Sequence, residues 1–102
     1  MDVIWTAGAG QQLQEVFEHL EDRQEGSGES LLANVDRELS LLKSQPHLGS
    51  YFEKPVRKWN VAGRYGLIYS PEGRGLVILA FVDMRSDLQP LRQRMQEWFG
   101  KL

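Results

Sequence analysis

The chain has 102 residues, 41% of them hydrophobic and 25% charged, with no cysteine and a net charge of −2. That is an ordinary globular balance, and it excludes disulfides, thiolate metal sites and a cysteine nucleophile. The charge is unevenly placed: residues 1–50 hold three basic and nine acidic residues, whereas residues 51–102 hold nine basic and five acidic. A basic face is therefore possible on an acidic protein.

Asp2–Thr6 (DVIWT) is short, β-branched and aromatic, and predicts an initial strand. Thr6 is placed to cap the helix that follows. There Leu13, Val16, Phe17 and Leu20 recur at helical spacing and form one apolar stripe. The glycines of RQEGSGES break this helix, and Ser30 is the expected cap of the next. The second helix carries Leu31, Leu32, Val35, Leu39 and Leu42, and must stop before Pro46. Residues 46–54 read as a loop holding His47 and Gly49.

A strand is predicted near Val56–Val61, a turn at Ala62-Gly63, and another strand over Arg64–Ser70. PEGRG (Pro71–Gly75) has turn chemistry. Leu76–Val82 (LVILAFV) is apolar at both alternating sets of positions, so it predicts a central strand covered on both faces. A final helix is expected from about Leu88 to Leu102, with Asp87 as its N-cap and bearing Leu88, Leu91, Met95, Trp98 and Phe99; Met95, Trp98 and Phe99 are read as core packing in preference to a partner-binding stripe. The order β-α-α-β-β-β-α implies an α+β fold: a small antiparallel sheet with two N-terminal helices on one face and a C-terminal helix. The second face needs a cover too, from that helix or from a partner. The whole chain, 1–102, reads as a single domain.

GAG at Gly8–Gly10 follows a strand and opens a helix, as a phosphate loop does, but Leu13 stands where a dinucleotide fingerprint needs its third glycine. The motif is read as structural. His19 and His47 are the only histidines, His19 is placed in solvent, and nothing in the spacing brings the two together. No cluster has metal-ligand spacing, so neither a metal nor a cofactor is expected. No basic-then-apolar leader precedes Asp2 and no apolar run is long enough to span a bilayer, so a cytoplasmic protein without membrane contact is expected.

The second half interleaves Lys54, Arg57, Lys58, Arg64, Arg74 and Arg85 with Tyr65 and Tyr69. Guanidinium forks suit phosphates and carboxylates because they donate two hydrogen bonds at once. Antiparallel strands can bring Arg64, at the head of one strand, close to Arg85, at the foot of another. The bland alternative is a solvated face with ion pairs to Glu53, Glu72 and Asp83.

The succession of VIWT and QL within Val3–Leu13, then LLKSQPHLGS, VRKW, RYGLIYS and GLVILAFVDMRSD, resembles the RelE/ParE superfamily of type II toxin–antitoxin modules. The likeness runs from about Val3 to Asp87. It implies a small sheet backed by two helices, and neutralisation by a cognate antitoxin whose extended or helical segment wraps the sheet. It implies one of two activities. ParE-like members poison DNA gyrase; RelE-like members cleave mRNA on the ribosome, as endoribonucleases. Carried onto this chain, the resemblance marks Arg64, Tyr65 and Arg85 as candidate catalytic residues, and Lys54, Arg57, Lys58 and Arg74 as candidate binding residues. Many relatives have histidine where Asp83 stands, and Asp83 is expected to pair with Arg85 rather than act as an acid. With no acid–base set in view, the resemblance implies a gyrase inhibitor. The alternatives are a ribosome-dependent nuclease, in which Arg64 and Arg85 steady the phosphorane and Tyr65 or Asp83 handles a proton, or a non-toxic module that kept the fold. In each, Arg57, Arg64 and Arg85 are expected to share one patch; a homodimer is also possible.

Overall fold

Leu67 and Tyr69 point to one side of their strand and Ile68 to the other, yet all three are fully buried. A strand without a wet face must lie between two layers, and that requirement shapes the architecture. The computed structural model describes residues 1–100. The elements are β1 (Asp2–Trp5), α1 (Ala7–Arg23), α2 (Ser27–Ser44), β2 (Ser50–Glu53), β3 (Val56–Val61), β4 (Tyr65–Glu72), β5 (Gly75–Asp83) and α3 (Gln89–Phe99). They build one five-stranded sheet in the order β1-β5-β4-β3-β2. On one face, Leu31, Val35, Leu39 and Leu42 of α2 and Ala9 of α1 pack with Leu67, Tyr69, Leu76, Ile78 and Phe81. On the other, Leu91 and Met95 of α3 pack with Phe52, Val56, Ile68 and Ala80. The fold is α+β, and α3 covers the second face. No helix among the described residues is long and apolar enough to cross a membrane.

Strand number and direction differ from the expected antiparallel set. β2 lies inside the expected loop, and β1 joins β5 in parallel, from Asp2↔Gly75 to Trp5↔Ile78. Tight turns force β2 to β5 to alternate direction, whereas β1 reaches its partner only through the helices and the rest of the sheet. A connection of that length permits either direction. β2 is four residues with a bulge between Tyr51 and Glu53, too short to show a period, and Phe52 anchors it in the core.

Thr6 caps α1, its hydroxyl accepting the Ala9 N–H at 3.3 Å. Ser30, the expected cap of α2, lies inside that helix. The cap is Gly26 at φ 89°, a left-handed conformation that glycine adopts without strain. Gly28 explains the early start. A Cβ there would sit 2.8 Å from the Phe17 carbonyl oxygen, so the helices close together only over a glycine. Pro71 and Glu72 extend β4, which narrows the expected Pro71–Gly75 turn to Gly73-Arg74. Before α3, the Asp87 carboxylate accepts the Gln89 N–H at 3.0 Å, although Leu88 holds the cap position. The expected end of α3 at Leu102 lies outside the described residues. Met95 is fully buried as expected, but Trp98 is 54% exposed and does not belong to the core.

Tyr69 fixes the loop between α2 and β2. Its hydroxyl donates to Pro46 O at 2.8 Å and accepts the Gly49 N–H at 3.0 Å. Burial pushes this phenol above its ordinary range, against the smaller opposing effects of the Gly49 hydrogen bond and the Arg57 charge. Gly49 must be glycine, because a Cβ would lie 2.6 Å from both Lys58 O and the Tyr69 hydroxyl. Tyr69→Phe therefore leaves two backbone groups unpaired and is expected to cost about 1–3 kcal/mol in urea unfolding; an unchanged midpoint contradicts this brace. At the β3–β4 turn, Ala62 holds φ 55° beside Gly63 at φ 72°. Left-handed alanine is strained, so Ala62→Gly is expected to raise stability by about 0.5–1 kcal/mol in the same measurement.

Candidate functional site

The strands carry the cations to two separate places. Arg57, on β3, faces Tyr69 of β4, while Val61 at the other end of β3 faces Tyr65, and Tyr65 faces Asp83 of β5. The four-residue separation of Arg57 from Val61 is about 13 Å along a strand. Arg57 therefore stands apart from Arg64 and Arg85, and the expected single patch of three arginines does not form. Strand register is the reason: arginines on one sheet converge only where their strands end together.

Arg64 and Arg85 do converge. The Arg64 Nε is 2.9 Å from Asp83 Oδ2 and the Arg85 Nε is 3.6 Å from Oδ1. Asp83 also accepts the Arg85 backbone N–H at 2.9 Å, and this bond is the main reason its carboxyl is held below the ordinary aspartate range; burial opposes it, and the two guanidinium groups add to it. Asp83 is thus an acceptor for both arginines, as the sequence suggested for Arg85. The side chains remain open, Arg64 at 48% and Arg85 at 68% exposure.

Tyr65 belongs to the core rather than the surface. It is 7% exposed, and its ring stacks on Phe81 at 5.4 Å with the Arg64 guanidinium 5.4 Å over its face. Glu15, Val16 and His19 of α1 join Arg64, Tyr65 and Asp83 around one open cleft of about 270 Å³. His19 is exposed as expected, but at the mouth of this cleft. A helix that packs across a strand end was the missing information.

The second locus lies on the edge formed by β2 and β3. Arg57 sits 4.2 Å over the Tyr51 ring, with Lys54 4.9 Å from the same ring. Arg57 also donates to Gly49 O at 2.6 Å and His47 O at 3.1 Å, so it braces the loop as well as the surface. Tyr51 is 49% exposed, and the sequence reading missed it because it fell in the expected loop. Lys58 lies beside Ser50 and Asn60 in an open cleft of about 500 Å³. Arg74 is in the β4–β5 turn, where its carbonyl accepts the Asp2 N–H, and it joins neither locus. Among the described residues, Arg64 and Arg85 are the cations held in ion pairs, both by Asp83.

Comparison with known proteins agrees with the fold. The family model for the ParE toxin of the type II toxin–antitoxin system parDE matches residues 3–88. No curated protein matches the sequence. Among solved structures, the chromosomal ParDE TA system from P. aeruginosa contains a chain that superposes with a TM-score of 0.70 at 15% identity, over 81% of this chain and 95% of that one.

Because its carboxyl is held low, Asp83 contributes to stability above the ordinary aspartate range, and that contribution fades as pH falls through its folded midpoint. A carboxyl-carbon NMR titration is expected to give a midpoint below that of an unstructured aspartate, moving upward in Arg64→Ala. A midpoint at or above the ordinary value contradicts the clamp.

Proposed function

The chain belongs to the ParE toxin family of type II toxin–antitoxin systems, and from that membership we propose that it inhibits DNA gyrase until a cognate antitoxin neutralises it. The observation that carries this reading is the Asp83 clamp. Asp83 faces the Nε atoms of both arginines and offsets part of their charge, which weakens the pull on a phosphate, while their exposed outer donors stay open to a protein surface. The net charge of −2 adds repulsion against a polyanion. Arg64 and Arg85 are proposed to meet the target, and Lys54, Arg57, Lys58 and Arg74 to serve partner binding. The protein acts in the cytoplasm, without cofactor or metal, and as a single domain.

A second reading, ribosome-dependent mRNA cleavage, draws support from His19. The cleft that holds Arg64 and Tyr65 also holds His19 and Glu15, groups able to move a proton. Tyr65 itself suits that role poorly, since its ring is buried against Phe81.

Expression in bacteria is expected to arrest growth with filamentation, chromosome damage and intact mRNA. Arg64→Ala with Arg85→Ala is expected to abolish the arrest while the folded circular dichroism spectrum persists. Codon-phased mRNA cleavage, lost on His19→Ala, establishes the second reading instead. Normal growth with folded wild-type protein overturns both and leaves a non-toxic module. Arg57 is kept out of this test because its loss also loosens the 47–49 loop.

A further inference from the structure

The three methionines of the chain sit in different surroundings. Met95 is fully buried between α3 and the sheet, and Met1 is 46% exposed. Met84 is half-buried and directly follows β5. Its side chain folds back over Gly66 of β4. Gly66 lies between Tyr65 and Leu67, which belong to the α1–α2 core, so a side chain there would point to the α3 side. A Cβ at Gly66 would collide with the Met84 sulfur and lie 3.0 Å from its Cγ. Gly66 is not in a left-handed conformation, so it is the thioether and not the backbone that calls for glycine. Leu91 and Met95 cover Ile68 and Ala80 on this face, and Met84 takes over two residues further along β4.

Met84 also lines the open cleft of about 500 Å³, together with Ser50, Lys58 and Asn60. A small oxidant can enter there, and the Lys58 ammonium and the Asn60 amide are donors that a new oxygen could use. The same residue is tied to the arginine clamp. The Met84 N–H donates to Arg64 O at 2.8 Å, and Met84 follows Asp83, whose carboxylate holds the Arg64 Nε at 2.9 Å. A shift of Met84 therefore acts on both members of the Arg64–Asp83 pair.

We propose that Met84 is a reversible oxidation site, at which a peroxide converts the thioether to a sulfoxide and so loosens the Arg64–Asp83–Arg85 clamp. A lone pair of the sulfur attacks one oxygen of hydrogen peroxide. The S–O bond forms as the O–O bond breaks, and the proton of the transferred oxygen passes to the departing one, which leaves as water. The sulfur is oxidised by two electrons and the peroxide is reduced. A sulfoxide is larger and polar, so it no longer suits a dry contact with the Gly66 backbone. It turns instead to the donors of Lys58 and Asn60 in the cleft, and Met84 withdraws from Gly66. Sulfoxide reductases restore the thioether. The inference goes beyond the toxin reading, and its test needs neither target nor antitoxin.

The experiment treats the purified protein with hydrogen peroxide and reads oxidation at each methionine by peptide mass spectrometry. Met84 is expected to oxidise about tenfold or more faster than Met95, a difference that disappears in urea. In the oxidised protein the Met84 amide is expected to exchange about tenfold faster. The Asp83 carboxyl midpoint is expected to move up toward the ordinary aspartate value as its partners loosen. Methionine sulfoxide reductase is expected to reverse both changes. Met84→Leu keeps the volume and removes the sulfur, so its residue-84 amide and Asp83 midpoint are expected to ignore peroxide while Met1 still oxidises. Met84 oxidising no faster than Met95 in the folded protein overturns the proposal. Sulfoxide at Met84 with unchanged exchange and midpoint overturns it too, as does an equal response to peroxide in Met84→Leu, which would place the effect at another residue.

Discussion

The β4–β5 hairpin is dry on both faces, and this constraint governs where chemistry can occur. Tyr69, Leu67 and Phe81 are buried under α1 and α2, while Ile68 and Ala80 are buried under α3. A buried charge is costly unless it is paired, so cations are driven from the sheet centre to its ends and its edge. The hairpin thereby sets two loci: the Arg64–Asp83–Arg85 clamp where β4 begins and β5 ends, and the Tyr51–Lys54–Arg57 cluster on β2 and β3.

The two loci differ in how their charge is met. Asp83 satisfies Arg64 and Arg85 in part and fixes their direction, leaving outer donors for a partner. Arg57 has backbone carbonyls and an aromatic ring as neighbours, which orient its guanidinium without cancelling its charge. Solvent-exposed ion pairs contribute little to stability, so the Arg64–Asp83–Arg85 group is proposed to serve recognition, whereas Arg57 also braces the loop through His47 O and Gly49 O. The same chain then has room for one surface that meets a target and another that meets a regulator, consistent with membership of a toxin family.

Much of the fold was legible in the sequence because burial leaves a period. The Leu13–Leu20 and Leu31–Leu42 stripes gave both helices, and the unbroken run from Leu76 to Val82 gave a strand with two covered faces. What remained hidden was non-local. β2 has four residues and a bulge, so it carries no alternation to detect. The direction of β1 follows from tertiary pairing, and the start of α2 from the close approach of Gly28 to Phe17. For the site, the sequence anticipated that Arg64 and Arg85 come close and that Asp83 pairs with Arg85, but it merged the two loci, since spacing along the chain does not report register across strands. Tyr51, the Tyr69 brace and the position of His19 all needed contacts between elements distant in sequence.

The reading of the Asp83 clamp as a protein-facing device, rather than a nuclease centre, is tested most directly by supercoiling of relaxed plasmid with purified gyrase. The account predicts that the purified protein stops supercoiling, and that a chain with alanine at positions 64 and 85 leaves gyrase working. Full supercoiling at saturating protein, together with cleavage of mRNA on translating ribosomes, would contradict it.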